Sequence, residues 1–145
     1  MHTLLPAFDD DCLTITHAAR HVSQRYERYL SKSGVTPAQF TILRALGSGA
    51  ELTMAELAHA TSTDRTTLVR TLRPLLRGAW VKSRAIAERG RGFWLALTVP
   101  GRAKLDESAA CWRDAQRVFE RQFGARQTAR LRRDLLRVVR DVART

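Results

Sequence analysis

Cysteine is nearly absent: Cys12 and Cys111 are too few for a disulfide framework, and neither stands in the close Cys/His spacing of a structural zinc site. Long apolar runs are missing as well. No stretch approaches the roughly 18 apolar residues of a membrane span. The N-terminus has no basic-then-apolar leader, so a cytoplasmic protein without membrane contact is expected. Catalytic signatures are equally scarce, with no Gly-rich phosphate loop, no Gly-x-Ser-x-Gly elbow and no His-Glu-x-x-His. Neither an enzyme nor a cofactor nor a bound metal is expected. His17 and His21 stand one helical turn apart, as metal ligands often do, but no third ligand is evident, which leaves them as polar-face or pocket-lining residues. Acidic residues are also in short supply. The chain has 14 Asp and Glu against 25 Lys and Arg, a formal net charge of +11, and such a field favours a polyanionic partner.

What is present is ordinary for one soluble domain, with 44% hydrophobic and 27% charged residues in 145. The organising stretch runs from Thr53 to Thr98. Thr53-Met54-Ala55-Glu56 has the form of a capping box, with the Thr hydroxyl on the Glu56 amide and the Glu56 carboxylate reaching back, and it opens a short helix to about His59. The polar run Ala60 to Asp64 then suits a turn that starts a second helix. From Asp64 to Arg77, Leu68, Val69, Leu72, Leu75 and Leu76 recur at helical spacing, which turns Thr66, Thr67, Arg70, Arg73 and Arg77 outward together. Arginine can bond a guanine edge or a phosphate through two N–H groups, and threonine can reach a phosphate or lay its methyl on thymine.

Pro74 costs a helix roughly 3 kcal/mol in mid-course, but in the last turn a kink or an early stop is tolerable. After Gly78, expected as the helix C-cap, Trp80 to Ile86 and Phe93 to Thr98 are strand-like runs around the Gly-rich, basic tip 87–92, shaped to enter a minor groove. Glu51-Leu52 is a candidate third strand. Arg65, Arg70, Arg73, Arg77, Lys82, Arg84, Arg89 and Arg91 face only Asp64 and Glu88 between residues 62 and 91. This is the outline of a winged helix-turn-helix for double-stranded DNA. The residues expected at DNA are Thr53, Ser62, Thr63, Arg65, Thr66, Thr67, Arg70, Arg73, Arg77, Arg84, Arg89 and Arg91.

The order Thr-Pro-Ala-Gln-Phe (36–40), Thr-Met-Ala-Glu-Leu-Ala (53–58), Asp-Arg-Thr-Thr-Leu-Val-Arg (64–70) and Leu-Thr-x-x-Gly (97–101) resembles the MarR family of bacterial regulators over nearly the whole chain. The resemblance implies a homodimeric winged-helix repressor on a pseudo-palindromic operator, released by a small-molecule effector or an oxidant. The wing departs from the family pattern. Arg89 stands where the family usually has an Asp, Arg91 where it has the groove-inserting Arg, and the acid-base brace is lost or moved to Glu88.

Both ends of the chain are helical. A first helix from about Asp9 to Lys32 carries the stripe Ile15, Ala18, Ala19, Val22, Tyr26, Tyr29 and Leu30, and Asp9, Asp10 and Asp11 suit the positive end of its dipole. Thr36-Pro37-Ala38-Gln39 caps the next helix. At the C-terminus, Leu105, Ala109, Trp112, Gln116, Phe119 and Phe123 alternate by four and three, as do Leu131, Leu135, Val138 and Val142, with Gly124 between. Such seams want a partner helix. Leu105, Trp112, Phe119, Leu131, Leu135 and Val138 are therefore expected in a two-fold dimer interface, the alternative being a self-contained bundle. The expected fold is mainly α with a small β-hairpin wing (α+β), a single domain over 1–145. Residues 36–98 form the winged helix, and 8–33 with 100–143 a helical dimerisation part from both termini.

Two other functions stay open. Cys12 lies near a helix start, where the dipole favours thiolate, and peroxide-sensing members of the resembled family carry a reactive Cys there; the neighbouring aspartates oppose this. A winged-helix protein-interaction module would instead show an apolar face where Arg70, Arg73 and Arg77 stand.

Overall fold

The computed structural model describes residues 9–86 and 92–142. In order, the elements are α1 (Asp11–Leu30), a 3-10 turn (Ser31–Ser33), α2 (Pro37–Leu46), β1 (Leu52–Thr53), α3 (Met54–Thr61), α4 (Arg65–Arg77), β2 (Val81–Ala85), β3 (Phe93–Leu97), α5 (Val99–Phe123) and α6 (Ala125–Val142). No described helix is long and apolar enough to cross a membrane.

Local chemistry sets most boundaries. Asp10, not the whole acidic triplet, caps α1 by accepting from Leu13 N at 2.9 Å. Gly34, at φ 74°, makes the left-handed exit from the 3-10 turn. The Thr36–Gln39 capping box forms in full, with Pro37 in the first turn of α2. At Thr53 only half of the expected box forms: its hydroxyl accepts from Glu56 N at 3.2 Å, while Thr53 itself closes β1 opposite Trp94.

The sheet order is β1-β3-β2, antiparallel throughout, so the expected third strand is present at the outer edge of β3. Its register sets Val81 opposite Leu97 and Arg84 opposite Trp94. Helix α4 runs through Pro74 to Arg77. Gly78 has ordinary helical torsions, and the left-handed residue is Ala79, at φ 59°. Ala79 N–H bonds the Leu76 carbonyl, and its own carbonyl accepts from the Thr98 hydroxyl, so the contacts of the turn hold a conformation glycine would adopt more readily.

One core joins the two ends of the winged part. Leu30, Val35, Phe40, Leu43, Leu46, Leu57, Leu68, Leu72, Leu75, Val81, Leu95 and Leu105 form one buried cluster. Leu105, expected in a dimer seam, lies in this cluster against the end of α2, where a Cβ on Gly47 would stand 2.7 Å from its Cδ2. Helix α5 starts hard against the α4–β2 turn: Thr98 N donates to Trp80 O at 3.1 Å, and a Cβ on Gly101 would lie 1.9 Å from that same oxygen. Only glycine fits at 101.

The terminal helices are covered unevenly. In α1 only Leu30 is buried, while Leu13 and Ile15 are exposed. In α6 only Thr128 is buried, and Leu131, Leu135, Leu136, Val138, Val139 and Val142 are all exposed.

Candidate nucleic-acid interface

The reading head is a helix pair whose corner is built from short polar side chains. Ser62 closes α3 in the left-handed region at φ 50°, Thr63 N donates to Ala58 O at 3.0 Å, and the Thr63 hydroxyl to Thr61 O at 3.0 Å. Asp64 then caps α4, accepting from Thr67 N at 2.9 Å and from the Thr67 hydroxyl at 2.7 Å. The Thr67 amide first, and its hydroxyl second, hold the Asp64 carboxyl below its ordinary pKa. Three of the threonines expected at DNA thus have structural work. Thr53 caps α3, Thr67 donates its amide and hydroxyl to the Asp64 cap of α4, and Thr63 holds the corner.

Leu68, Leu72 and Leu75 pin α4 to the core at 0%, 1% and 0% exposure. The opposite side is open. Thr66, Arg70, Arg73 and Arg77 follow at four, three and four residues and are all exposed, with Arg65 and Ser62 exposed beside them. Among the described residues none of these four arginines is in an ion pair. Unpaired guanidinium groups on a rigid helix are free to bond phosphates or base edges.

Arg84 is placed differently. Its guanidinium reaches across β3 to the Glu51 carboxylate, with Nη2–Oε2 at 2.5 Å and Nε–Oε1 at 3.4 Å. That contact lowers the Glu51 pKa and raises that of Arg84. Sequence reasoning missed this brace because Glu51 and Arg84 share a face only once the β1-β3-β2 order is known. Arg89 and Arg91, with Glu88, lie outside the described residues.

A second feature lies between the long helices and the winged part. A cleft of about 590 Å³ is lined by Val22, Ser23 and Tyr26 of α1, Pro37 and Arg44 of α2, Trp112 and Gln116 of α5, and Arg132 of α6. Trp112, expected in the dimer seam, forms part of this lining, edge-on to Tyr26 at 4.5 Å and stacked on Phe40 at 4.7 Å. Burial first, and the Glu120 carboxylate second, raise the Tyr26 pKa against the opposing Arg132, so the phenol is a neutral hydrogen-bonding group at neutral pH. Phe119 is half-buried on Phe123 at 5.7 Å, and Leu131, Leu135 and Val138 stand exposed. Cys12 is exposed in the first turn of α1 and Cys111 is half-buried in α5, both as free thiols. His17 and His21 lie edge to face at 4.5 Å, and no group of three His, Cys, Asp or Glu among the described residues could hold a metal ion.

Two hydrogen bonds, one to the end of α2 and one to the 3-10 turn after α1, fix α5 and left no signal in the sequence. Arg102 donates to Gly47 O at 2.8 Å, and Lys104 to Ser33 O at 3.0 Å while lying over the Trp80 ring.

The profile of the MarR family matches residues 33–92. Among curated proteins no sequence matches. The M. tuberculosis transcriptional regulator MosR is 34% identical, with a TM-score of 0.81 over 96% of this chain and 100% of that one. Its complex with DNA gives 35% identity and a TM-score of 0.79 over 93% and 97%. A mutant of E. coli MarR complexed with operator DNA is 26% identical, with a TM-score of 0.78 over 86% and 90%. The protein is a winged-helix protein mainly of α-helix. The chain belongs to the MarR family of transcriptional regulators.

Proposed function

We propose that the chain is a sequence-specific double-stranded DNA-binding repressor, acting as a homodimer on a pseudo-palindromic operator and released by a small-molecule effector. The observation that carries the DNA reading is the open face of α4, where Arg70, Arg73 and Arg77 stand exposed without acidic partners among the described residues. A protein-interaction surface at these positions would be apolar. The solved complexes of MosR with DNA and of a MarR mutant with operator DNA support the same reading. Titration of random-sequence duplex at several salt concentrations tests it. Each neutralised phosphate steepens log K against log salt by about 0.9, so a slope near 3 or steeper is expected, and a slope near zero overturns DNA binding.

The effector reading rests on the cleft between α1, α2, α5 and α6. Tyr26 and Trp112 supply aromatic walls and Arg44 and Arg132 positive charge, a combination suited to a small aromatic acid. Occupation of the cleft bears on α5, which is fixed to the α4–β2 turn through Gly101 and Thr98. Release of DNA by an aromatic acid, lost in Arg44→Ala, is expected. Release by an organic hydroperoxide that disappears in Cys12→Ser would move the switch to the thiol.

A further inference from the structure

Helix α6 carries a second arginine face, used neither by α4 nor by the apolar seam. Arg126, Arg130, Arg133, Arg137 and Arg140 follow at four, three, four and three residues and are all exposed. At about 100° per residue they share one side of the helix, roughly opposite Leu131, Leu135 and Val138. Arg137 and Arg140 have loose carboxylate neighbours in Asp134 at 3.7 Å and Asp141 at 3.3 Å, while Arg126, Arg130 and Arg133 have none among the described residues. Residues 125–142 hold six arginines against two aspartates, a net +4, whereas 64–77 hold four against one. The stronger positive rod is therefore not the recognition helix.

We propose that this stripe holds the phosphates of a second DNA duplex while α4 holds the first, so that the protein ties two DNA segments together. From Arg126 to Arg140 the stripe spans about 21 Å at 1.5 Å per residue. Duplex DNA presents about twelve phosphates along that length, counted over both strands, so several lie within reach of the five arginines. Single strands are bound by aromatic side chains on which bases stack, and residues 125–142 contain no Phe, Tyr or Trp. The start of the stripe, at Arg126, lies at the far end of α5 from the α4–β2 turn. Helix α5, with 25 residues and about 37 Å of length, begins at the α4–β2 turn and ends where α6 begins.

Bridging rests on the assignment of α4 as a DNA-binding helix; the stripe's own affinity for DNA does not. The test uses a random-sequence 30-base-pair duplex fixed to beads and a second, fluorescent 30-base-pair duplex added at low salt to the bound full-length protein. Wild type is expected to capture the second duplex. The triple variant Arg126→Gln, Arg130→Gln, Arg133→Gln is expected to lose at least about tenfold of that capture, with a shallower salt slope by about 2.7, and to change binding of the bead-bound duplex less than twofold. Arg126→Lys, Arg130→Lys, Arg133→Lys should retain capture within a few fold, because a point charge still serves a phosphate. No capture by wild type, equal capture by the glutamine variant, or loss of capture in the lysine variant with helicity intact would each overturn the proposal. Arg70→Ala with Arg73→Ala reports separately on α4. If it leaves binding to the bead-bound duplex unchanged, the operator assignment fails while the glutamine variant still judges α6.

Discussion

Helices α4 and α6 are written in the same pattern, leucine and valine on one side and arginine on the other, yet the chain treats them oppositely. The apolar side of α4 is closed, with Leu68, Leu72 and Leu75 at 1% exposure or less, whereas Leu131, Leu135 and Val138 of α6 are 37%, 40% and 42% exposed. Leu13 and Ile15 at the start of α1 are open as well, at 55% and 43%. The difference is that the winged half buries the apolar side of its helix within one chain, whereas the helical half leaves that side open. An amphipathic helix left open over several turns calls for a cover, and a second copy offering the same helices is the simplest one.

The hardest break of this contrast is Leu72→Asp. A carboxylate at a position 1% exposed has no partner, and the loss should reach about 5 kcal/mol, enough to leave the chain unfolded by circular dichroism. A folded Leu72→Asp variant would mean that α4 is not held by its leucines.

The same substitution in α6 should behave differently. Leu135→Asp is expected to keep the winged half folded and to weaken dimer association by about 3 to 5 kcal/mol, read as a monomer in sedimentation. A wild-type protein that sediments as a monomer would end the comparison, and with it an operator of two half-sites about one helical turn apart.

These two leucines also mark how far the sequence could be read. Thr36-Pro37-Ala38-Gln39, Asp64 and Gly124 act within a few residues of themselves, so the helix ends they set were legible, and the spacing of Leu68, Leu72 and Leu75 showed which side of α4 turns inward. Spacing alone does not say what covers an apolar face. Leu105 and Trp112 sit on the same four-and-three pattern as Phe119, yet Leu105 goes into the core beside Gly47 and Trp112 onto Phe40 and Tyr26. Those destinations depend on where α5 crosses α2, which Gly101, Arg102 and Lys104 decide through backbone contacts that no periodicity records. The outward arginines of α4 were legible as a face; the pairing of Arg84 with Glu51 needed the strand order.

A smaller effect separates base reading from phosphate binding on the α4 face. Arg70→Ala should lower affinity for the operator by about 1 to 3 kcal/mol more than for random duplex if its guanidinium meets a base edge. Equal loss on both DNAs, measured at one salt concentration, would assign Arg70 to a phosphate and leave base readout to Thr66, Arg73 or Arg77.

The smallest effect probes the seam itself. Thr128 is the one buried residue of α6, at 7% exposure, and its hydroxyl has no hydrogen-bond partner among the described residues. Burying an unpaired hydroxyl costs free energy that a methyl group of the same shape does not, so Thr128→Val should stabilise an isolated chain by about 1 kcal/mol. In a dimer the sign reverses if assembly repacks α6 so that a donor or acceptor of the second subunit reaches that hydroxyl. Urea denaturation of the variant at low and high protein concentration distinguishes the two. Stabilisation at both concentrations means that the hydroxyl stays unpaired in the assembled protein. Stabilisation at low concentration that turns to a loss at high concentration means that Thr128 is completed by the partner subunit and belongs to the seam.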